Sequence, residues 1–188
     1  LEVTGTALTD VLDLSDLLEV SGNLNIWDNA ALTYVDGLYS LRSVGGWMSL
    51  YNNGLEGIDG FFSLSTVGGY LYIGHNDALP QLRGLSHLSS VGGDLNLSSN
   101  AVLADVDALT ALESVGGDLW IEENAALENL DGLAALTSVG GELNIASNAS
   151  LGQIDGLANL TSVGGGLLIY DHTALTQIDG LAALTSVG

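Results

Sequence analysis

The chain has no cysteine and no lysine, a single proline, and only two basic residues, Arg42 and Arg83. Without cysteine there is no disulfide framework, no thiol nucleophile and no thiolate metal site. The two cations stand against 23 acidic residues, a net charge of −21. Such a balance excludes nucleic acid, whose phosphates need cationic partners, and anionic membrane surfaces. No apolar run approaches the ~20 residues of a membrane span, so no membrane insertion is expected. No basic-then-apolar leader opens the sequence, so residue 1 reads as a mature or trimmed N-terminus. Disorder is the common state of strongly acidic chains, but 47% of these 188 residues are hydrophobic, enough for one domain with a real core.

What the sequence does contain is a repeat. Val20, Val44, Val67, Val91, Val115, Val139, Val163 and Val187 recur at steps of 24, with one step of 23 between Val44 and Val67. With the valine at position 0, the unit reads V-G-G-x-L-x-I-x-x-N-x-x-L-x-x-I-D-G-L-x-x-L-x-S. The complete coils are 20–43, 44–66, 67–90, 91–114, 115–138, 139–162 and 163–186. Residues 1–19 fit most of another coil, and 187–188 start the next. A fixed period in the twenties with leucines at set offsets marks a solenoid, here one domain spanning 1–188.

Each position has a physical task. Apolar residues at positions 4 and 6 alternate with variable ones, as in Leu119-Trp120-Ile121, which predicts a strand with one face buried. Position 9 is Asn29, Asn53, Asn76, Asn100, Asn124 and Asn148, then His172. An amide at a buried corner can bond backbone groups of its own and the adjacent coil, and His172 reads as a hydrogen-bonding substitute. The Gly-Gly pair suits a tight or positive-φ corner. Positions 15–21, as in Ile154-Asp155-Gly156-Leu157, suit a short 3₁₀ turn with the Asp as its N-cap.

The stretch "LNIASNASLGQIDGLANLTS" resembles a leucine-rich repeat, L-x-L-x-x-N followed by a two-leucine return, and is close to the internalin type of coil. "LTSVGGxLxI" and "NxALxxIDGL" are more specifically similar to the receptor L-domain repeat of growth-factor receptors and microbial surface proteins. The resemblance implies a right-handed β-solenoid with one parallel sheet of short strands and a 3₁₀-rich return side. It also implies an extracellular or cell-surface recognition role. Receptor L domains carry flanking cysteines, so a cysteine-free chain points toward the microbial members.

Positions 3, 5 and 7 face outward on the strands. All three tryptophans and four of the six tyrosines fall there: Trp27, Trp47, Tyr51, Tyr70, Tyr72, Trp120 and Tyr170. Aromatic side chains prefer interiors and interfaces, so this concentration marks a ligand-binding face. Aromatic ladders within a sheet are the competing explanation. Further along, Asp94, Asp118 and Glu142 form a column of carboxylates at coil spacing, a weak and open calcium site at best. The Asp column at position 16 (Asp36, Asp59, Asp107, Asp131, Asp155, Asp179) is assigned to capping instead. Of the sequons at Asn96, Asn148 and Asn159, only Asn159 is expected to be accessible.

No nucleophile elbow, phosphate loop or zinc spacing is present, and no enzyme and no required cofactor are expected. The expected function is a non-catalytic, extracellular recognition module. Its aromatic and acidic face would bind a glycan, with sugar faces on the rings, or a protein or peptide ligand. The alternative is structural: both ends stop in mid-pattern, so coils could self-associate head to tail into a filament or surface layer.

Overall fold

The structure, a computed structural model, describes residues 1–5 and 7–188. Positions 4–7 of each coil form a four-residue strand, such as Leu24–Trp27, Met48–Tyr51 and Leu119–Glu122. With Glu2–Thr4 at one edge they make an eight-stranded parallel sheet in chain order. The register places like beside like: Leu119 pairs with Leu95 and Leu143, and Ile121 with Leu97 and Ile145. Alternation follows the pattern read from the sequence. Leu24, Ile26, Leu95, Leu97, Leu119 and Ile121 point inward and are fully buried, and the residues between them face out.

The expected single sheet is half of the β-structure. A second eight-stranded parallel sheet is built from two-residue strands, Glu19–Val20, Ser43–Val44 and their counterparts through Ser186–Val187. A strand this short leaves no alternation to detect in the sequence. It exists because the stacked coils bring Ser-Val onto Ser-Val, as in Ser114 with Ser138 and Val115 with Val139. The valine enters the core and the preceding residue faces out. Between the sheets lies one hydrophobic cluster running from Val11 to Val163. The return side carries a 3₁₀ turn in every coil, for example Asp36–Leu38 and Asp155–Leu157. Among the described residues no helix is long and apolar enough to cross a membrane.

Two local assignments need correction. The position-16 Asp does not cap its turn: it is the first turn residue, preceded by a Val, Ile or Leu that makes no side-chain cap and is buried in every such coil but the last. In three coils the cap comes from two residues earlier. Asp105 Oδ1, Asn129 Oδ1 and Gln153 Oε1 accept the N–H of Asp107, Asp131 and Asp155 at 3.2, 2.9 and 2.9 Å. The Asp side chains themselves stand exposed, and Asp131 Oδ1 accepts from Gln153 Nε2 at 3.0 Å.

The Gly-Gly pairs are required by close approach rather than by left-handed backbone. A Cβ on Gly116 would meet Gly92 O at 2.2 Å, and one on Gly140 would meet Gly116 O at 2.1 Å. Positive φ occurs instead at position 8, on Asp28, Asn52, His75, Ser99, Glu123, Ser147 and Asp171, with φ between 53° and 59°. A polar residue in each of these coils turns the chain out of the strand so that position 9 points inward. Asn, Asp and His are among the side chains that tolerate this region best.

Position 9 behaves as its amides imply. Asn29, Asn53, Asn76, Asn100, Asn124 and Asn148 are all buried. The N–H of each of the first five donates to Oδ1 of the next one, as Asn100 N to Asn124 Oδ1 at 3.0 Å and Asn124 N to Asn148 Oδ1 at 2.9 Å. Each Nδ2 reaches back to a strand carbonyl of the preceding coil, as Asn124 Nδ2 to Leu97 O at 2.8 Å. His172 takes the same place, with Nδ1 3.1 Å from Asn148 O and Nε2 3.1 Å from Ile145 O. The 23-residue step comes from one residue lost after Asn53, where Gly54 lies so close to the coil before it that a Cβ would meet Ala30 O at 2.3 Å. Of the sequons, Asn148 is buried in this ladder and Asn159 is exposed, its Nδ2 donating to Ala134 O at 2.8 Å.

Replacing Asn124 with Ala strands the Asn100 N–H in the interior and takes one of two donors from the Leu97 carbonyl, which stays in the parallel ladder. The expected cost is about 1–3 kcal/mol, read as a lower urea midpoint at unchanged m-value. A midpoint equal to wild type would mean that water replaces the amide and that the ladder is not a major source of stability.

Candidate functional site

The outward face of the longer sheet gathers most of the aromatic residues expected there. Trp27 pairs in register with Tyr51, and Ser49 with Tyr72. Trp47 and Tyr70 lie parallel, ring centres 5.5 Å apart and planes within 3°. Tyr51 and Tyr72 approach at 5.6 Å with a 30° tilt, and the edge of His75 meets Tyr51 at 5.1 Å. These contacts are an aromatic ladder in the physical sense, and each stacked pair contributes roughly 0.5–1.5 kcal/mol.

The rings nevertheless remain open to solvent. Trp27, Trp47 and Tyr70 are exposed at 39%, 40% and 39%, and Tyr51, Tyr72 and Trp120 are half-buried. Together with Asn25 and Ser49, the five rings of the first three complete coils enclose a trough of about 340 Å³. Two smaller residues shape it. Asn25 Oδ1 accepts the indole N–H of Trp47 at 3.0 Å and sets that ring's orientation. Gly74 is the glycine of the strand Leu71–Gly74, and a Cβ there would lie 2.5 Å from Cε2 and Oη of Tyr72. Tyr72 therefore leans across Gly74 toward Tyr51, away from the floor at Ser49. The sequence did carry a sign of this, since a glycine within a strand often marks the close approach of another group.

A second hollow of about 250 Å³ adjoins the first and shares Tyr70 and Tyr72 with it. Asp94, Asn96 and Trp120 complete its wall. Trp120 thus joins the cluster across an intervening coil. Tyr170 does not: it pairs with Ala146 and borders a separate hollow with His172 and Ile178. At about 4.8 Å per coil, the two shared hollows run about 19 Å along the solenoid axis, across the strands.

The carboxylate column has a structural task that its spacing alone did not reveal. Asp94 Oδ1 accepts the N–H of Asp118 at 2.9 Å, and Asp118 Oδ1 accepts that of Glu142 at 2.7 Å. Asn23 does the same for Trp47 at 3.1 Å. The second glycine of the next coil makes room, since a Cβ on Gly117 would stand 2.0 Å from Asp94 Oδ1. Among the described residues no three His, Asp or Glu side chains converge in a metal-binding group, either here or along the position-16 Asp column.

Glu122 accepts from Asn144 Nδ2 at 2.7 Å, while Asn144 Oδ1 is buried without a partner. Burial, then Glu123 and Glu142, raise the Glu122 carboxyl above its ordinary 4.5. Burial, then Asp105 and Asp131, raise Asp107 above 3.8. Burial first, then Tyr51 and Glu123, likewise raises the Tyr72 phenol. Compared with protein families, curated proteins and solved structures, the chain matches none.

The raised carboxyls fix the sign of a pH effect. With folded values above the unfolded ones, the folded chain binds more protons in that interval, so stability falls as pH rises through it. The melting temperature should therefore rise on going from pH 7 to pH 5, and Glu122→Gln should reduce the gain. Added salt should have the same direction of effect at pH 7 by screening self-repulsion. A melting temperature that fell on acidification and ignored salt would contradict both statements.

Proposed function

We propose that this chain is a non-catalytic recognition module, displayed outside the cell or on its surface. In this reading it is a right-handed leucine-rich solenoid of the receptor L-domain kind, and its aromatic trough holds an elongated ligand, a glycan or a peptide. The observation that carries the reading is the trough itself. Five rings from three successive coils stand open to solvent around a polar floor of Asn25 and Ser49. Burying such rings against a ligand yields far more than leaving them in water, and aromatic side chains tend to dominate binding energy where they cluster centrally. Asn25, Ser49 and Asn96 supply hydrogen-bonding groups that fix orientation without any reacting group.

The ring geometry constrains the pose. Two aromatic planes with a guest between them need about 7 Å, so nothing inserts between Trp47 and Tyr70 at their 5.5 Å separation. A ligand lies along the outer aspect of this pair and against Trp27, Tyr51 and Tyr72.

The test is a combined glycan and peptide array, probed with wild type and with Trp27, Trp47 and Tyr70 all changed to Ser. Those side chains stand outside the core, so the variant should keep its fold, losing about 0.5–1.5 kcal/mol for the Trp47–Tyr70 stack and less for the other cross-strand contacts. It should also lose every array signal that wild type gives. A folded variant with an unchanged array profile would remove the trough from the function. Normal head-to-tail assembly of that same variant in sedimentation, with no array signal from either protein, would favour the filament reading.

A further inference from the structure

The second hollow differs from the first in chemistry, and the difference bears on the ligand. The first has neutral polar groups between its rings; the second has Asp94 at its wall beside Tyr70, Tyr72 and Trp120. One Asp94 oxygen accepts the Asp118 N–H, and a carboxylate offers about four acceptor sites, so capacity remains for a donor from outside. Beyond it lie Asp118, Glu122, Glu123 and Glu142, with no cation among the outward residues of any strand. The two arginines stand elsewhere. Arg42 borders a hollow with Phe62 and His87, and Arg83 opens the 3₁₀ turn Arg83–Leu85.

We infer that the hollow between Tyr70, Tyr72, Trp120 and Asp94 seats an organic cation, and that the occupant of the trough is an extended polypeptide segment carrying Lys or Arg. This rests on the recognition reading given above and names the ligand class. Ring faces attract an ammonium or guanidinium within about 6 Å of their centres. The carboxylate adds a charge-assisted hydrogen bond, the stronger kind of such contact. Asp94, Asp118, Glu122, Glu123 and Glu142 give this stretch of the face a negative potential with no basic side chain among the outward strand residues. A neutral glycan would gain nothing from that potential, and an anionic ligand would be repelled by it. A basic segment is drawn in by it, with an association rate that falls as salt rises. An extended chain rises about 3.3 Å per residue, so about six residues span the two hollows. One Lys or Arg placed over the second hollow leaves the remaining side chains for the rings of the first.

The experiment uses three probes: an extended octapeptide library with one central Arg or Lys, the same library with citrulline or norleucine there, and oligosaccharides, both neutral and amine-bearing. Binding is measured by titration calorimetry on wild type, on the triple aromatic variant and on Asp94→Asn. The last keeps the Oδ1 that accepts the Asp118 N–H and removes one charge from an acidic face, so it should fold as wild type does and melt no lower. Basic peptides should bind wild type and lose about tenfold in affinity in Asp94→Asn. The uncharged library should bind no better than that variant does. Neutral oligosaccharides that bound wild type and Asp94→Asn equally would overturn the cation seat and leave the recognition reading standing. Amine-bearing oligosaccharides that bound in an Asp94-dependent way, with peptides inert, would overturn the polypeptide assignment. Binding of basic peptides undiminished in the triple aromatic variant would overturn both readings at once.

Discussion

A coil that turns back on itself every 24 residues must bring backbone into its interior at each corner, and buried amides need partners. The position-9 asparagines answer that need twice over. Each Oδ1 takes an N–H from the coil before it, and each Nδ2 reaches a strand carbonyl of that same coil. These bonds link coil to coil, and Asn29, Asn76 and Asn100 also reach a carbonyl of their own coil, so the ladder holds the coils at one stacking distance. Both sheets, the glycine contacts and the aromatic spacing inherit that distance. A valine or leucine at position 9 would fill the space but leave a buried backbone N–H unpaired in each coil, a cost of about 1–3 kcal/mol.

The period also explains which residues have no freedom. Gly116 and Gly140 are glycines because the neighbouring coil's carbonyl lies where a Cβ would be. Gly117 is one because the Asp94 carboxylate occupies that space. Backbone contact between identical positions restricts every coil alike, and a motif repeated with little change is the consequence. Positions 3, 5 and 7 escape this restriction since they face solvent, and the coils differ from one another chiefly there.

The core and the ladder were legible because each rests on a pattern longer than one coil. Leucine at positions 4 and 12, valine at 0 and asparagine at 9 recur often enough for their burial to follow directly. The misread features are those with a local pattern too small or too ambiguous. Two-residue strands have no alternation. An Asp before Gly-Leu looks like a cap, yet the N–H of Asp131 is satisfied by Asn129, at a position that varies from coil to coil. Gly-Gly invites a left-handed turn, but the left-handed residue sits at position 8 and is never glycine in the complete coils. Sequence alone does not separate a glycine needed for φ from one needed for space.

On the outward face the side of the sheet was readable and the shape was not. Alternation put Trp27, Trp47, Tyr51, Tyr70 and Tyr72 together, but a ring's lean depends on its neighbour's size. Tyr72 lies over Gly74 only because that strand position lacks a side chain, and this is what leaves the floor at Ser49 open. Trp120 shares a hollow with Tyr70 and Tyr72 because Asn96, on the strand between, is small enough to leave the space open. The hollow therefore depends on small residues as much as on large ones. Asp94 then serves two ends with one carboxylate: one oxygen holds the Asp118 backbone, which fixes the group in place, and the remaining capacity faces the rings. A charge held by the fold in this way pays little entropy on meeting a ligand, and its position is set by the same coil spacing that the asparagines impose.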